Sequence, residues 1–124
     1  MIWSIRDRAT FVALRTEGIR ARHGSLGIAY LAPRTPKEQA DPPRIAFALG
    51  RKVGHAVERN RLRRRLRAIL ATLDQDRLPG GAYLITAQAD AVALSHQELR
   101  EHVERALTRI KQRVESDPGR QAPR

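Results

Sequence analysis

The residues in this chain best equipped for chemistry are arginines, and most of that capacity is gathered in one place. From Arg51 to Arg67 the sequence reads RKVGHAVERNRLRRRLR, eight cations against the single acid Glu58, so this stretch carries seven of the eleven net positive charges. Guanidinium groups match phosphate oxygens bidentately, so seven arginines and one lysine point to oriented phosphate contacts rather than to proton transfer. Like charges repel at four-residue spacing, whereas a face meant only for solvent normally mixes signs. A merely solvated charged face therefore explains the segment less well than binding to RNA.

Little else suggests chemistry. His23, His55, His96 and His102 are scattered, and no pair of them has the helical spacing of metal ligands. Ser95 and Glu98 read as a helix cap, not as a nucleophile with its base. No catalytic residue and no metal-binding residue is expected in the protein.

Arginines that bind in a fixed geometry need an element to hold them. Leu62, Leu66, Ile69, Leu70 and Leu73 recur on one helical face, predicting a helix from about Ala56 to Leu73 anchored to a core. At 100° per residue Asn60, Arg64 and Arg67 lie opposite that stripe, Arg61 and Arg65 along one flank, and Arg59 and Arg63 along the other. Such a helix can serve two partners. Asn60 is a poor helix former, suited to a base edge, a ribose or a hydrated metal ion, or simply facing solvent. Gly54 and Ala56, just before the helix, would permit a tight turn and close phosphate approach, or only a strand-to-helix connection.

Around this helix the pattern predicts a helix from about Asp7 to Glu17, with Phe11 and Leu14 inward and Gly18 as a left-handed cap. Ile19 to His23 is expected as an edge strand, Gly24 as a turn, and Leu26 to Leu31 as a strand. Residues 33–43, rich in proline and charge, read as a loop with little capacity to pack and high tolerance of change. In Arg44 to Gly50, Ile45, Phe47 and Leu49 alternate with Ala46, Ala48 and Gly50, giving the sheet one bulky face and one small face. Small residues let a helix lie close, or leave a groove for an extended nucleic-acid strand. Asp74 to Gly81 breaks the chain, Ala82 to Gln88 is a buried strand, and Ser95 opens a helix with Leu99, Val103, Ala106, Leu107, Ile110 and Val114 inward. On its outer face Arg100 with Glu104 and Glu101 with Arg105 are expected as surface pairs. Tyr30 reads as core, as does Phe11 when judged by itself. The order implies a single-domain α+β sandwich over residues 1–115, with 116–124 a disordered tail.

With 124 residues, 41% of them hydrophobic, the chain has material for one modest core. It contains no cysteine, hence no disulfide framework or thiolate metal site, and no apolar run approaches a membrane span. A cytoplasmic, RNA-binding protein is the expectation. An anionic membrane fits less well, because the basic helix lacks the Trp and Phe typical of interfacial helices. A DNA-binding module lacks a partner helix just before the arginine helix, whereas a structural RNA-binding protein of the ribosomal kind would share this composition.

Arg51, Lys52, Gly54, Ala56, Arg59, Asn60, Arg63 and Arg64 together resemble the signature of the bacterial ribonuclease P protein component, basic-basic-x-G-x-A-x-x-R-N-x-x-basic-R. Length, basicity and element order are similar from about Ile5 to Arg113. The chain departs from the family pattern at Arg15, where a second aromatic is usual, at Ala29, where some members carry tyrosine, and at His55, where asparagine is frequent. The resemblance implies a rare left-handed β-α-β crossover around the arginine helix, where the general rule for parallel neighbours would give a right-handed one. It also implies an endoribonuclease holoenzyme in which the partner RNA and its Mg2+ perform the chemistry. The arginine helix, including Arg61, Arg65 and Arg67, would bind the catalytic RNA. A cleft formed by Phe11, Arg15, Ala29, Ala46 and Ala48 would take the single-stranded 5′ leader of precursor tRNA. No obligate protein partner and no membrane is implied.

Overall fold

The structure, a computed structural model, describes residues 1–116. Strands β1 (Trp3–Ser4), β2 (Ile19–His23), β3 (Leu26–Leu31), β4 (Arg44–Ala48) and β5 (Ala82–Ala87) form one sheet in the order β1-β4-β5-β3-β2. Helices α1 (Arg8–Glu17), α2 (Pro36–Ala40), α3 (Ala56–Ala71) and α4 (His96–Ser116) complete the α+β domain. The β4 and β5 strands are parallel neighbours and α3 is the crossover between them. The strands β2, β3 and β5 pair antiparallel.

Alternation along the strands separates two cores, because paired residues in register share a face. On the bulky face Ile28, Tyr30, Ile45, Tyr83 and Ile85 pack against Leu62, Leu66, Ile69 and Leu70 of α3 and Leu99, Val103 and Leu107 of α4. At about 25 cal/mol per Å2 of apolar area, each buried leucine or isoleucine contributes roughly 2 kcal/mol. On the small face Ala29, Leu31 and Ala82 lie under Ala13 and Leu14 of α1, with Phe11, Ala46 and Leu84 at the margin. The small residues thus let a helix lie close over part of this face and leave another part of it open. The α1 helix lies close over Ala29, Leu31 and Ala82, while further along the sheet Ala48 is exposed and Thr86 half-exposed.

The α1 helix starts where Asp7 accepts from the Thr10 amide at 2.9 Å and from its hydroxyl at 2.5 Å, which holds the Asp7 carboxyl below its ordinary pKa. Its end differs from the expected left-handed cap: Gly18 is extended, at φ −64 and ψ 144. Glycine is needed because a Cβ would run into the Leu14 carbonyl, to which the Gly18 amide donates at 3.2 Å.

Three further differences have local causes. The proline-rich stretch is not all loop: Thr35 caps α2 by accepting from the Glu38 amide, with Pro36 in the first helical turn. Glu38 also accepts from the Arg34 amide and pairs with Arg44, so this segment is tied to β4. β1 adds a strand too short to show periodicity, held by the Trp3 amide donating to the Pro43 carbonyl and that of Ile5 to Ile45. The arginine helix ends at Ala71, two residues early, although Leu73 stays buried. Tyr30 is core, as expected; its hydroxyl donates to Gly80 and that of Tyr83 to Pro79, and burial raises the pKa of both phenols. The expected tail from 117 onward lies outside the described residues; Ser116 still belongs to α4.

Candidate nucleic-acid interface

The α3 helix starts from a tight connection. Arg51 and Lys52 sit exposed on a single 3-10 turn whose third residue, Val53, is buried and pins the turn to the core. Gly54 follows with φ +157, and a Cβ there would stand 2.9 Å from the Glu58 carboxylate. That carboxylate accepts from the His55 amide at 3.0 Å, capping the helix. The space beside Gly54 is thus filled by the only acid of the basic segment, which is thereby used up in holding the helix start. Ala56 is exposed in the first turn, beside Val57, which is 78% exposed.

The arginines divide into two sets. Arg61 and Arg64 are exposed and project away from the leucine stripe, beside the exposed Asn60; their guanidiniums make no hydrogen bond or ion pair among the described residues. The others are steadied by the protein itself. Arg59 Nη1 donates to the Leu49 carbonyl at 3.4 Å while its buried Nε has no partner among the described residues. Arg63 Nη1 donates to Asn60 Oδ1 at 2.7 Å, so that Asn60 is not idle. Arg65 donates to the Leu94 carbonyl at 2.6 Å. Arg67 lies over the Phe47 ring, 5.5 Å from its centroid, and donates to Ser4 Oγ at 3.4 Å. A helical wheel gives the angle of each side chain around the axis, but says nothing of the strand and loop carbonyls that Arg59 and Arg65 meet, nor of Phe47 and Ser4, onto which Arg67 folds.

The cleft residues fall partly together. Phe11, Ala29 and Ala46 belong to one apolar cluster on the small face, Phe11 half-buried and Ala29 nearly closed over as floor. Ala48 continues the same face one step along β4, exposed and three residues before Arg51. Arg15 is exposed one turn along α1 from Phe11, and its carbonyl accepts from Arg20 at 2.9 Å. The cleft face thus leads from Phe11 along β4 to the foot of α3.

His23 and His102 are far apart in sequence yet stand edge to face, ring centroids 5.2 Å apart, where β2 meets α4. Burial and then nearby Arg109 hold the His23 pKa below its ordinary value. Among the described residues no group of three or more His, Cys, Asp or Glu is placed to hold a metal ion. No helix among the described residues is long and apolar enough to cross a membrane.

Fold and surface together define a small α+β protein that presents unneutralised arginines from one helix beside an open sheet face. The family model for ribonuclease P matches residues 3–111. Similar proteins include the ribonuclease P protein components of Brucella suis, 34% identical with 86% of this chain and 79% of the relative covered, and of a Nocardioides species, 38% identical with 86% and 89% covered. The chain belongs to the ribonuclease P protein family. Its fold is that of the Staphylococcus aureus RNase P protein, with TM-score 0.74, 18% identity, and 88% of this chain and 95% of that one covered. The Thermotoga maritima RNase P protein gives TM-score 0.69 at 21% identity, with 86% and 96% covered. Membership carries with it RNA binding and tRNA processing as the protein subunit of ribonuclease P.

Proposed function

We propose that this chain assists removal of the 5′ leader from precursor tRNA, in a cytoplasmic ribonucleoprotein whose catalytic subunit is RNA. The observation that carries this reading is the composition of α3: six arginines, with its lone acid already engaged in the cap. Arg61 and Arg64, exposed and without a partner among the described residues, bind phosphates of the catalytic RNA, together with Arg51 and Lys52 at the foot of the helix. Arg59, Arg63, Arg65 and Arg67 add positive potential from fixed positions.

On the other face Phe11 offers a partly exposed ring for stacking on a leader nucleotide, with Ala29 and Ala46 as floor and Ala48 as rim. Arg15, in place of a second aromatic, offers a guanidinium plane or a phosphate contact one turn away. Hydrolysis is assigned to the RNA, whose bound Mg2+ would supply charge neutralisation and an activated water. The protein residues position the substrate and relieve repulsion between two polyanions; no step is assigned to a metal on this chain.

The test is Phe11→Ala in the reconstituted holoenzyme. Loss of the ring is expected to cost on the order of 1 to 3 kcal/mol of precursor binding, narrowing the preference for precursor over mature tRNA while assembly with the RNA subunit is retained. A thermal melt separates this from a core defect. Equal loss for precursor and mature tRNA, or no loss in a folded variant, removes the cleft assignment. Sequencing the RNA that copurifies with the tagged chain tests the wider reading, since a ribosomal protein would bring ribosomal RNA.

A further inference from the structure

The small face of the sheet continues beyond α1 to β2, where the register sets Arg20 beside Ala29 and Arg22 beside Gly27. Both arginines therefore stand on the cleft face, at the sheet edge opposite β1. There they wall a hollow of about 500 Å3 floored by Gly27, Leu84 and Thr86. Arg113, near the end of α4, borders the same hollow and donates to the Arg20 carbonyl; one turn earlier Arg109 donates to the Arg22 carbonyl at 2.5 Å. None of these four arginines has a carboxylate within ion-pair distance among the described residues, although Arg34, Arg44, Arg77, Arg100 and Arg105 all have one.

The four differ in what they are free to do. Arg109 and Arg113 are committed to the backbone of β2, and Arg20 Nη2 donates to the Arg15 carbonyl at 2.9 Å, leaning toward the end of α1. Arg22 has no such commitment among the described residues. Its Nη2 lies 3.8 Å from where a Cβ on Gly27 would stand, so the guanidinium overhangs the floor with its donors unspent. An open apolar floor, a hydroxyl from Thr86 and a wall of uncompensated guanidiniums suit a polyanion lying across the sheet better than a neutral ligand.

We propose that Arg20 and Arg22 bind phosphates of the precursor's leader where it leaves the sheet at the β2 edge. The proposal rests on the reading of the small face as the leader's path. Three strand spacings separate β4 from β2, about 14 Å at ~4.8 Å each, so a leader that ends over Ala46 and Ala48 stops short of the arginines and a longer one reaches them. Contacts to phosphate carry no sequence information, so this end of the cleft senses leader length and not leader sequence.

The experiment is a ladder of precursors differing only in leader length, bound to holoenzyme containing the natural chain or the Arg20→Gln/Arg22→Gln variant. With the natural chain, affinity is expected to rise again once the leader spans the sheet. The variant is expected to lose this last increment, about tenfold, and its log-affinity against log-salt slope on the longest leader should shrink by about 0.7 for each phosphate left unneutralised. Short-leader precursors, mature tRNA and the RNA subunit should bind as before. Arg22→Gln alone, which breaks no side-chain bond among the described residues, repeats the test should the double variant melt early. Superimposable ladders for the two proteins overturn the proposal, as does a loss that is uniform over all lengths. Weakened binding of the RNA subunit also overturns it, by assigning the edge to that RNA. A natural-chain ladder that shows a leader effect but no second rise overturns only this proposal, whereas one with no leader effect at all takes the cleft reading down with it.

Discussion

The helices α3 and α4 pack on the same face of the sheet and bury similar stripes, yet their outer surfaces are composed by opposite rules. The α3 helix sets six arginines against one glutamate, and that glutamate accepts from the His55 amide instead of neutralising a neighbour. The α4 helix carries five cations and four glutamates, arranged so that Arg100 meets Glu104 at 3.6 Å and Arg105 meets Glu101 at 3.1 Å. Arg77 also reaches Glu104, at 2.5 Å. Inner faces, where leucine and isoleucine exclude water, make the fold; outer faces decide what the fold meets. The outer charges of α4 at Arg100 and Arg105 are balanced by its own neighbours, whereas α3 keeps a deficit of negative charge along its whole outer face that phosphate can make good.

The largest expected effect tests the similarity of the two helices. Leu66→Ala in α3 and Leu99→Ala in α4 each remove a fully buried side chain, and each should lower the unfolding free energy by about 2 to 4 kcal/mol in urea titrations. A much smaller loss at Leu66 would mean that α3 is less anchored than its burial indicates. The next tests the difference. Arg61→Ala/Arg64→Ala should weaken binding of the RNA subunit about tenfold or more, flatten the salt slope by up to about 0.9 for each phosphate no longer neutralised, and leave the melting temperature unchanged. Arg105→Ala, on the outer face of α4, should leave RNA affinity where it was and cost only about 0.3 to 0.5 kcal/mol of stability. Equal losses of RNA affinity from the two helices would erase the distinction.

The smallest effect concerns pH at the seam between β2 and α4, where Glu101, His102, Arg105 and Arg109 surround His23. Because the folded pKa of His23 is depressed, its contribution to stability is complete above the unfolded value near 6.5 and is lost as pH falls through the folded value. Melting temperature should therefore decline slightly as pH falls below that range, and His23→Gln should remove this component. An unchanged pH profile in that variant would show that the histidine is not held neutral.

What the sequence disclosed followed from the length of each repeating signal. The leucine stripe of α3, the inner stripe of α4 and the Ser95 cap each rest on several residues at a fixed period, and the Ser95 hydroxyl does accept from the Glu98 amide at 3.1 Å. The β1 strand, two residues long, and α2, five long, are set by tertiary hydrogen bonds and capping that no period records. At Gly18 the residue type was informative but its cause was misread, since a steric limit against Leu14 stands where a backbone twist was expected. The roster of arginines was plain from the sequence. Their division into free and tethered depends on the Leu49 and Leu94 carbonyls, which only the folded chain brings near.

The backbone contacts of Arg109 and Arg113 also bear on how the molecule meets copies of itself. An open strand edge offers unpaired backbone groups on which a second sheet can grow, strand by strand. Here the carbonyls of Arg20 and Arg22 on β2 are already occupied by guanidiniums from α4. At the other margin β1 is only two residues long, too short to template a neighbour. Edge-to-edge growth is thus opposed at both borders of the sheet, at one by a clasp of positive charge and at the other by brevity.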